Sequence, residues 1–119
     1  MKSYLKMLLM AGVFAVSLAV FQEDALAEPM VTSWYGPGLE GNVTASGDIL
    51  EPYTEYTAAS PYYPFGTELL VTYGGYSVVV EVTDRGPYVA GRELDLSQAA
   101  AEQIGLTYTG TDYVDVQVL

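Results

Sequence analysis

The sequence predicts a mainly β protein, a small barrel of about six short strands with one short helix. Three observations carry that reading. Apolar residues recur at every second position in several short runs, Gly and Pro punctuate those runs at short intervals, and a single stretch carries paired helix start and stop signals. Closure into a barrel removes the unpaired edges that short strands otherwise offer to aggregation.

The chain opens on a targeting pattern rather than on a strand. Lys2 and Lys6 precede a 15-residue, mostly apolar run from Met7 to Phe21, and Ala25-Leu26-Ala27 supplies a small-x-small cleavage site. Residues 1–27 are therefore expected to be a signal peptide and residues 28–119 the secreted domain. The run is shorter than the ~20 residues that span a bilayer, and no Cys follows it to take a lipid. No membrane association is expected after cleavage.

Met30 to Tyr35 reads as the first strand, with Val31, Ser33 and Tyr35 on one face and Thr32 and Trp34 on the other. Pro37, Gly38, Gly41, Asn42, Ser46 and Gly47 make a long turn-rich stretch, broken only by Val43-Thr44-Ala45. A short extended piece is expected around Tyr56 to Ala59, before Pro61, Pro64 and Gly66 mark a second loop. Glu68 to Tyr73 and Tyr76 to Thr83 read as two strands joined by a Gly74-Gly75 hairpin turn. The Val density of the second suggests burial on both of its faces. Asp84-Arg85-Gly86-Pro87 ends it. Glu93 to Leu96 is a brief extension, after which Ser97 N-caps a helix over Gln98 to Ile104 that Gly105 terminates. Asp112 to Leu119 alternates Tyr113, Asp115 and Gln117 against Val114, Val116 and Val118, and reads as a closing strand.

Composition removes several chemistries. The 119 residues include 15 Asp or Glu and four Lys or Arg, for a net charge of −11, with no His and no Cys. A Ser-His-Asp triad, a thiolate nucleophile, a disulfide framework and a zinc site of the usual N/S kind are all ruled out. Glu93, Asp95, Asp112 and Asp115 do not follow a twelve-residue calcium loop and read as a solvated acidic face, so neither metal nor cofactor is expected. Beyond residue 27 the only cations are Arg85 and Arg92, against 13 acids. Such a surface repels polyanions, which excludes nucleic acid as the expected partner. A monomer is expected.

Four pieces then acquire a common meaning: Ser33-Trp34-Tyr35-Gly36, Pro64-Phe65-Gly66-Thr67, Thr83-Asp84-Arg85-Gly86-Pro87-Tyr88 and Gly91-Arg92-Glu93-Leu94-Asp95-Leu96-Ser97. Their order and spacing resemble the rare lipoprotein A (RlpA) family, whose barrel is related to that of expansins. The resemblance implies a six-stranded double-psi β-barrel and endolytic, lytic-transglycosylase cleavage of peptidoglycan strands lacking stem peptides. The lipid-attachment Cys and the C-terminal glycan-binding module of many relatives have no counterpart, so a stand-alone secreted barrel is expected.

A lytic transglycosylase needs one carboxyl that protonates the glycosidic oxygen and then takes the proton of the sugar's own 6-hydroxyl. Asp84 ends the Val-rich strand at a loop, and the resemblance makes it the catalytic position; without that guide it reads equally as a turn cap or an Arg85 partner. Asp48 stands where active relatives carry Glu, and Ser60 where they carry His. The first change shortens the reach by a methylene, and a misplacement near 1 Å costs on the order of a hundredfold. The second removes a side chain that can hold charge near neutral pH; Ser60 stays a candidate sugar contact, although before Pro61 it also reads as a turn residue. Thr57 matches a groove Thr of the family. Trp34, Tyr35, Tyr62, Tyr63 and Tyr88 lie in or beside the same loops and offer flat faces for sugar rings, whereas Phe65 is expected in the core. Arg85 is a candidate clamp for a muramyl lactyl carboxylate, or holds its loop through Asp95 or a backbone carbonyl. Two rival functions stay open: a non-catalytic expansin-like wall-binding module, and a secreted protein-binding or inhibitory module.

Overall fold

Alternating inward side chains in six strands close on themselves in the computed structural model, which describes residues 27–119. The expected signal peptide, apart from its last residue, lies outside the described residues. The strands are β1 (Glu28–Tyr35), β2 (Thr57–Ala59), β3 (Glu68–Tyr73), β4 (Tyr76–Asp84), β5 (Leu94–Ser97) and β6 (Asp112–Val118), and their order around the closed barrel is β1-β5-β2-β4-β3-β6. β1 runs parallel to β5 and β2 parallel to β4, while the remaining neighbours are antiparallel. The parallel pairs require crossover connections.

The barrel is filled by Leu69, Val71, Val78, Val80, Val82, Leu94, Leu96, Val114 and Val116, all buried. Helix α1 (Gln98–Ile104) adds Ala100, Ala101 and Ile104 to the same cluster. Ser97 and Gly105 bound it as expected: the Ser97 hydroxyl accepts from Ala100 N, and Gly105 takes a left-handed conformation at φ 80°. The hairpin glycines, Gly74 and Gly75, both have positive φ, as a two-residue primed turn demands.

Three expectations are corrected. β4 is not buried on both faces: Val79 is 43% exposed and Glu81 is exposed, because the outer side of a closed barrel meets water unless a loop covers it. Phe65 is 41% exposed rather than in the core, and it lies under the Arg85 guanidinium at 4.0 Å. A second one-turn helix, α2 (Leu106–Thr109), follows α1 directly, and its four residues carry no side-chain cap that would announce it.

One irregularity positions the chemistry. β2 pairs Ala58 with Val82 but Ala59 with Asp84, so Thr83 is an extra residue on β4, a β-bulge. Val82 points into the core, and strict alternation would send Asp84 the same way. The bulge instead aligns Asp84 with Ala59 on the outer face. Thr83 stays buried there, and its Oγ1 has no hydrogen-bond partner.

Two substitutions separate satisfied from unsatisfied buried hydroxyls. The Ser97 hydroxyl donates to Glu55 O at 2.7 Å and accepts from Thr57 N and Ala100 N, so Ser97→Ala is expected to cost ~2 kcal/mol in urea unfolding. Thr83→Val replaces an orphaned oxygen with a methyl of similar shape, and the same measurement is expected to show no loss or a gain of up to ~1 kcal/mol.

Candidate functional site

Strand register gathers the site. Ser33 of β1 lies opposite Asp95 of β5, Asp95 opposite Ala59 of β2, and Ala59 opposite Asp84 of β4. Four adjacent strands thus present Ser33, Asp95, Ala59 and Asp84 as one row. The two carboxyl-bearing residues are separated by a single strand, or about 10 Å between backbones at two strand spacings. The residue between them has only a methyl group, which leaves a trough of about 390 Å³ lined by Tyr35, Ala59, Asp84, Tyr88, Arg92 and Asp95.

The two carboxyls are held differently. Asp84 Oδ1 accepts two backbone N–H groups, from Ala45 and from Arg85, each at 2.9 Å. Both bonds fall on one oxygen and fix the side chain at the loop mouth. Asp95 Oδ1 accepts from the Ser33 hydroxyl at 3.0 Å. Burial pushes the Asp95 carboxyl above the ordinary range, with the charge of Asp84 adding to the rise, while the Ser33 hydrogen bond and Arg92 pull it down. Tyr35 is pushed up to about 12, chiefly by burial, and so keeps its phenolic proton. Its hydroxyl shares a 2.8 Å hydrogen bond with Thr57 Oγ1.

Thr57 lines a neighbouring hollow of about 580 Å³ together with Thr44, Asp48, Glu51, Glu55 and Glu81. Leu50 borders both spaces, and the Tyr35–Thr57 hydroxyl pair connects them. Asp48 therefore sits in the adjoining hollow rather than in the trough, with its Oδ2 accepting from Ser46 Oγ at 3.2 Å.

The other predicted contacts divide. Tyr35, Tyr88 and Arg85 line the trough with Asp84, and Tyr88 is 85% exposed. Ser60 is removed from the ligand-contacting set: it is fully buried, and its hydroxyl accepts from Tyr62 N and Tyr63 N to close a turn. Trp34 and Tyr63 are partly buried against the core. Tyr62 is exposed and packs edge-on to Tyr63 at 6.4 Å, outside the trough lining. Arg85 Nη1 donates to Ser60 O and Tyr63 O, both at 2.9 Å, so this cation grips the loop between β2 and β3 through backbone carbonyls, the second of the two arrangements weighed for it.

Sequence reasoning missed Asp95, which it assigned to a solvated acidic face or to Arg85. The signal was present in Leu94-Asp95-Leu96: two inward Leu force the Asp to the opposite face, and a parallel pairing with the strand ending at Tyr35 carries it to the trough.

Comparison with known proteins places this geometry. A family model described as "Lytic transglycolase" matches residues 28–118. The "Probable endolytic peptidoglycan transglycosylase RlpA" of Aquifex aeolicus is 48% identical over 89 residues, covering 73% of this chain and 39% of that protein. The "Endolytic peptidoglycan transglycosylase RlpA" of Vibrio cholerae is 43% identical over 89 residues, covering 73% and 34%. The chain thus spans about a third of the length of these curated relatives. Among solved structures, a Streptomyces papain inhibitor matches at TM-score 0.64 and 20% identity, over 82% of this chain and 99% of that one. An expansin of Clavibacter michiganensis matches at TM-score 0.64 and 24% identity, over 79% and 50%. Both likenesses concern the fold alone.

The burial of Asp95 has a measurable consequence. The folded protein keeps this proton to higher pH than the unfolded chain does, so stability contributed by the neutral carboxyl falls as pH rises through the raised value. Asp95→Asn cannot ionise and still offers Ser33 an acceptor. It is expected to melt at a higher temperature than wild type at pH 7, with the gap shrinking as pH drops below the ordinary carboxylate range; melting curves followed by circular dichroism from pH 3 to 8 check this.

Proposed function

The chain belongs to the lytic transglycosylase family of RlpA-type double-psi barrels, and we propose that its trough binds a peptidoglycan glycan strand lacking stem peptides and cleaves it internally. The observation that carries this reading is the row of two carboxylic residues across one intervening Ala, one of them half-buried and so raised in proton affinity. We place the protein outside the cytoplasm, as its leading segment suggests, where its substrate is found.

Asp95 is the acid in this scheme. Its raised proton affinity suits a group that must be neutral on arrival, donate to the bridging oxygen and then accept, as a carboxylate, the proton of the muramyl 6-hydroxyl. That hydroxyl closes on the anomeric carbon and leaves a 1,6-anhydro end, so no water is consumed. Asp84, fixed by two backbone N–H groups, sets its negative charge beside the cationic character that develops at the ring. The Tyr35 phenol, protonated across the working range, donates to or accepts from a sugar hydroxyl through the proton it shares with Thr57. Exposed Tyr88 offers a stacking face. With Ser60 folded into a turn, no imidazole substitute is needed in the scheme: both proton transfers fall to one carboxyl.

The burial of Ser60, where active relatives are expected to carry an imidazole, favours one second reading, a non-catalytic wall-binding barrel. Incubating the purified protein with amidase-stripped glycan strands and analysing products by mass spectrometry decides between them. Anhydromuramyl ends are expected from wild type, with the rate at least ~100-fold lower for Asp95→Asn and for Asp84→Asn. Strand retention without product supports the binding module, and equal release by wild type and both variants refutes the assignment of the carboxyls.

A further inference from the structure

The trough contains an unspent cation. Of its lining residues only Arg85 and Arg92 are positively charged. Arg85 is occupied on two sides, since Nη1 donates to the Ser60 and Tyr63 carbonyls and the guanidinium plane lies on Phe65. Arg92 differs. It is exposed, its backbone N–H donates to Val89 O to hold the turn before β5, and among the described residues no hydrogen bond or ion pair engages its guanidinium. It nevertheless stands close enough to Asp95 for its charge to be felt there.

Such a group is available to an anion. The domain carries 13 acids, and the trough itself presents Asp84 and Asp95, so an anionic ligand entering it depends on the cations there, of which Arg92 has its guanidinium uncommitted among the described residues. A glycan strand stripped of its peptides has one anionic group per disaccharide, the lactyl carboxylate on C3 of the muramyl ring, and a strand whose peptides remain has an amide there instead. C3 lies two ring bonds from the anomeric carbon, and the lactyl arm reaches outward from it. Arg92 and Asp95 line the same trough and are three residues apart, a backbone span of at most about 10 Å, so a muramyl ring with its reacting carbon at Asp95 can bring its lactyl arm within reach of Arg92.

Resting on the proposed function above, we infer that Arg92, and not Arg85, binds the lactyl carboxylate and selects peptide-free muramyl residues for the reacting subsite. The planar fork of a guanidinium matches two carboxylate oxygens at once. The neutral amide of a substituted residue gives it neither the second acceptor nor the charge.

Two substrates and two variants test this: peptide-free strands, the same strands with their lactyl carboxylates coupled to methylamine, and the variants Arg92→Gln and Arg92→Lys. Wild type is expected to lose about tenfold in both strand binding and kcat/KM when the carboxylate is amidated. Arg92→Gln is expected to lose about the same on native strands, mainly through KM, and to lose little more on amidated ones. Arg92→Lys keeps the charge without the fork and is expected to fall between them. Equal wild-type binding of the two substrates, or an equal loss by Arg92→Gln on both, overturns the assignment. Binding that follows the carboxylate while neither strand is cleaved overturns the transglycosylase reading and leaves the role of Arg92 standing.

Discussion

A single extra residue in one strand is what the rest of the site depends on. Where β2 and β4 run side by side, Thr83 has no counterpart, and the shift it introduces takes Asp84 off the inward side of the barrel. The consequences appear on both sides of the bulge. A buried hydroxyl is left without a partner at Thr83, and the carboxylate beyond it is caught by the Ala45 and Arg85 amides. The Ser46 N–H donates to Thr83 O and ties the long loop onto the same point. Local disorder of the ladder is thereby converted into a fixed orientation.

The electrostatics of the site are unusual for a protein of such one-sided charge. A half-buried acid carries a desolvation cost, and here its neighbours act in opposition: Asp84 discourages ionisation of Asp95, while Ser33 and Arg92 favour it. The net effect is a proton affinity above the ordinary carboxylate range. Tyr35 shows the same burial acting on a phenol, in which the neutral form is simply reinforced. Both groups stand on the outer face of β1 and β5, whose inner faces are given wholly to packing, so the barrel supplies rigidity on one side and chemistry on the other.

Much of this was legible in the residues. The six strands follow from period-two alternation, and the ends of α1 follow from Ser97 and Gly105, because those signals are local and the barrel does not override them. Asp84, Tyr35 and Tyr88 were found through motifs, and the structure gathers them in the trough. What was missed depended on pairing. Asp95 becomes visible only once β5 is set between β1 and β2, and the exposure of Val79 only once the barrel's outer face is known to be open. For Ser60 and Arg85 the residues left a ligand role and a local one open, and the structure shows the local one: the hydroxyl and the guanidinium serve backbone groups of residues 60–63, which a sequence does not display.

The interval between the two carboxylic residues is set by the width of one intervening strand. That width is a property of peptide hydrogen bonding, so it is quantised: evolution can alter the gap only in whole strands, or trim it by lengthening a side chain at either end. Sugar-cleaving enzymes that differ in stereochemical outcome differ by a few ångströms in just such a gap. A barrel of this type is thus free to diversify its chemistry through exchanges between Asp and Glu at its rim while its interior stays unchanged.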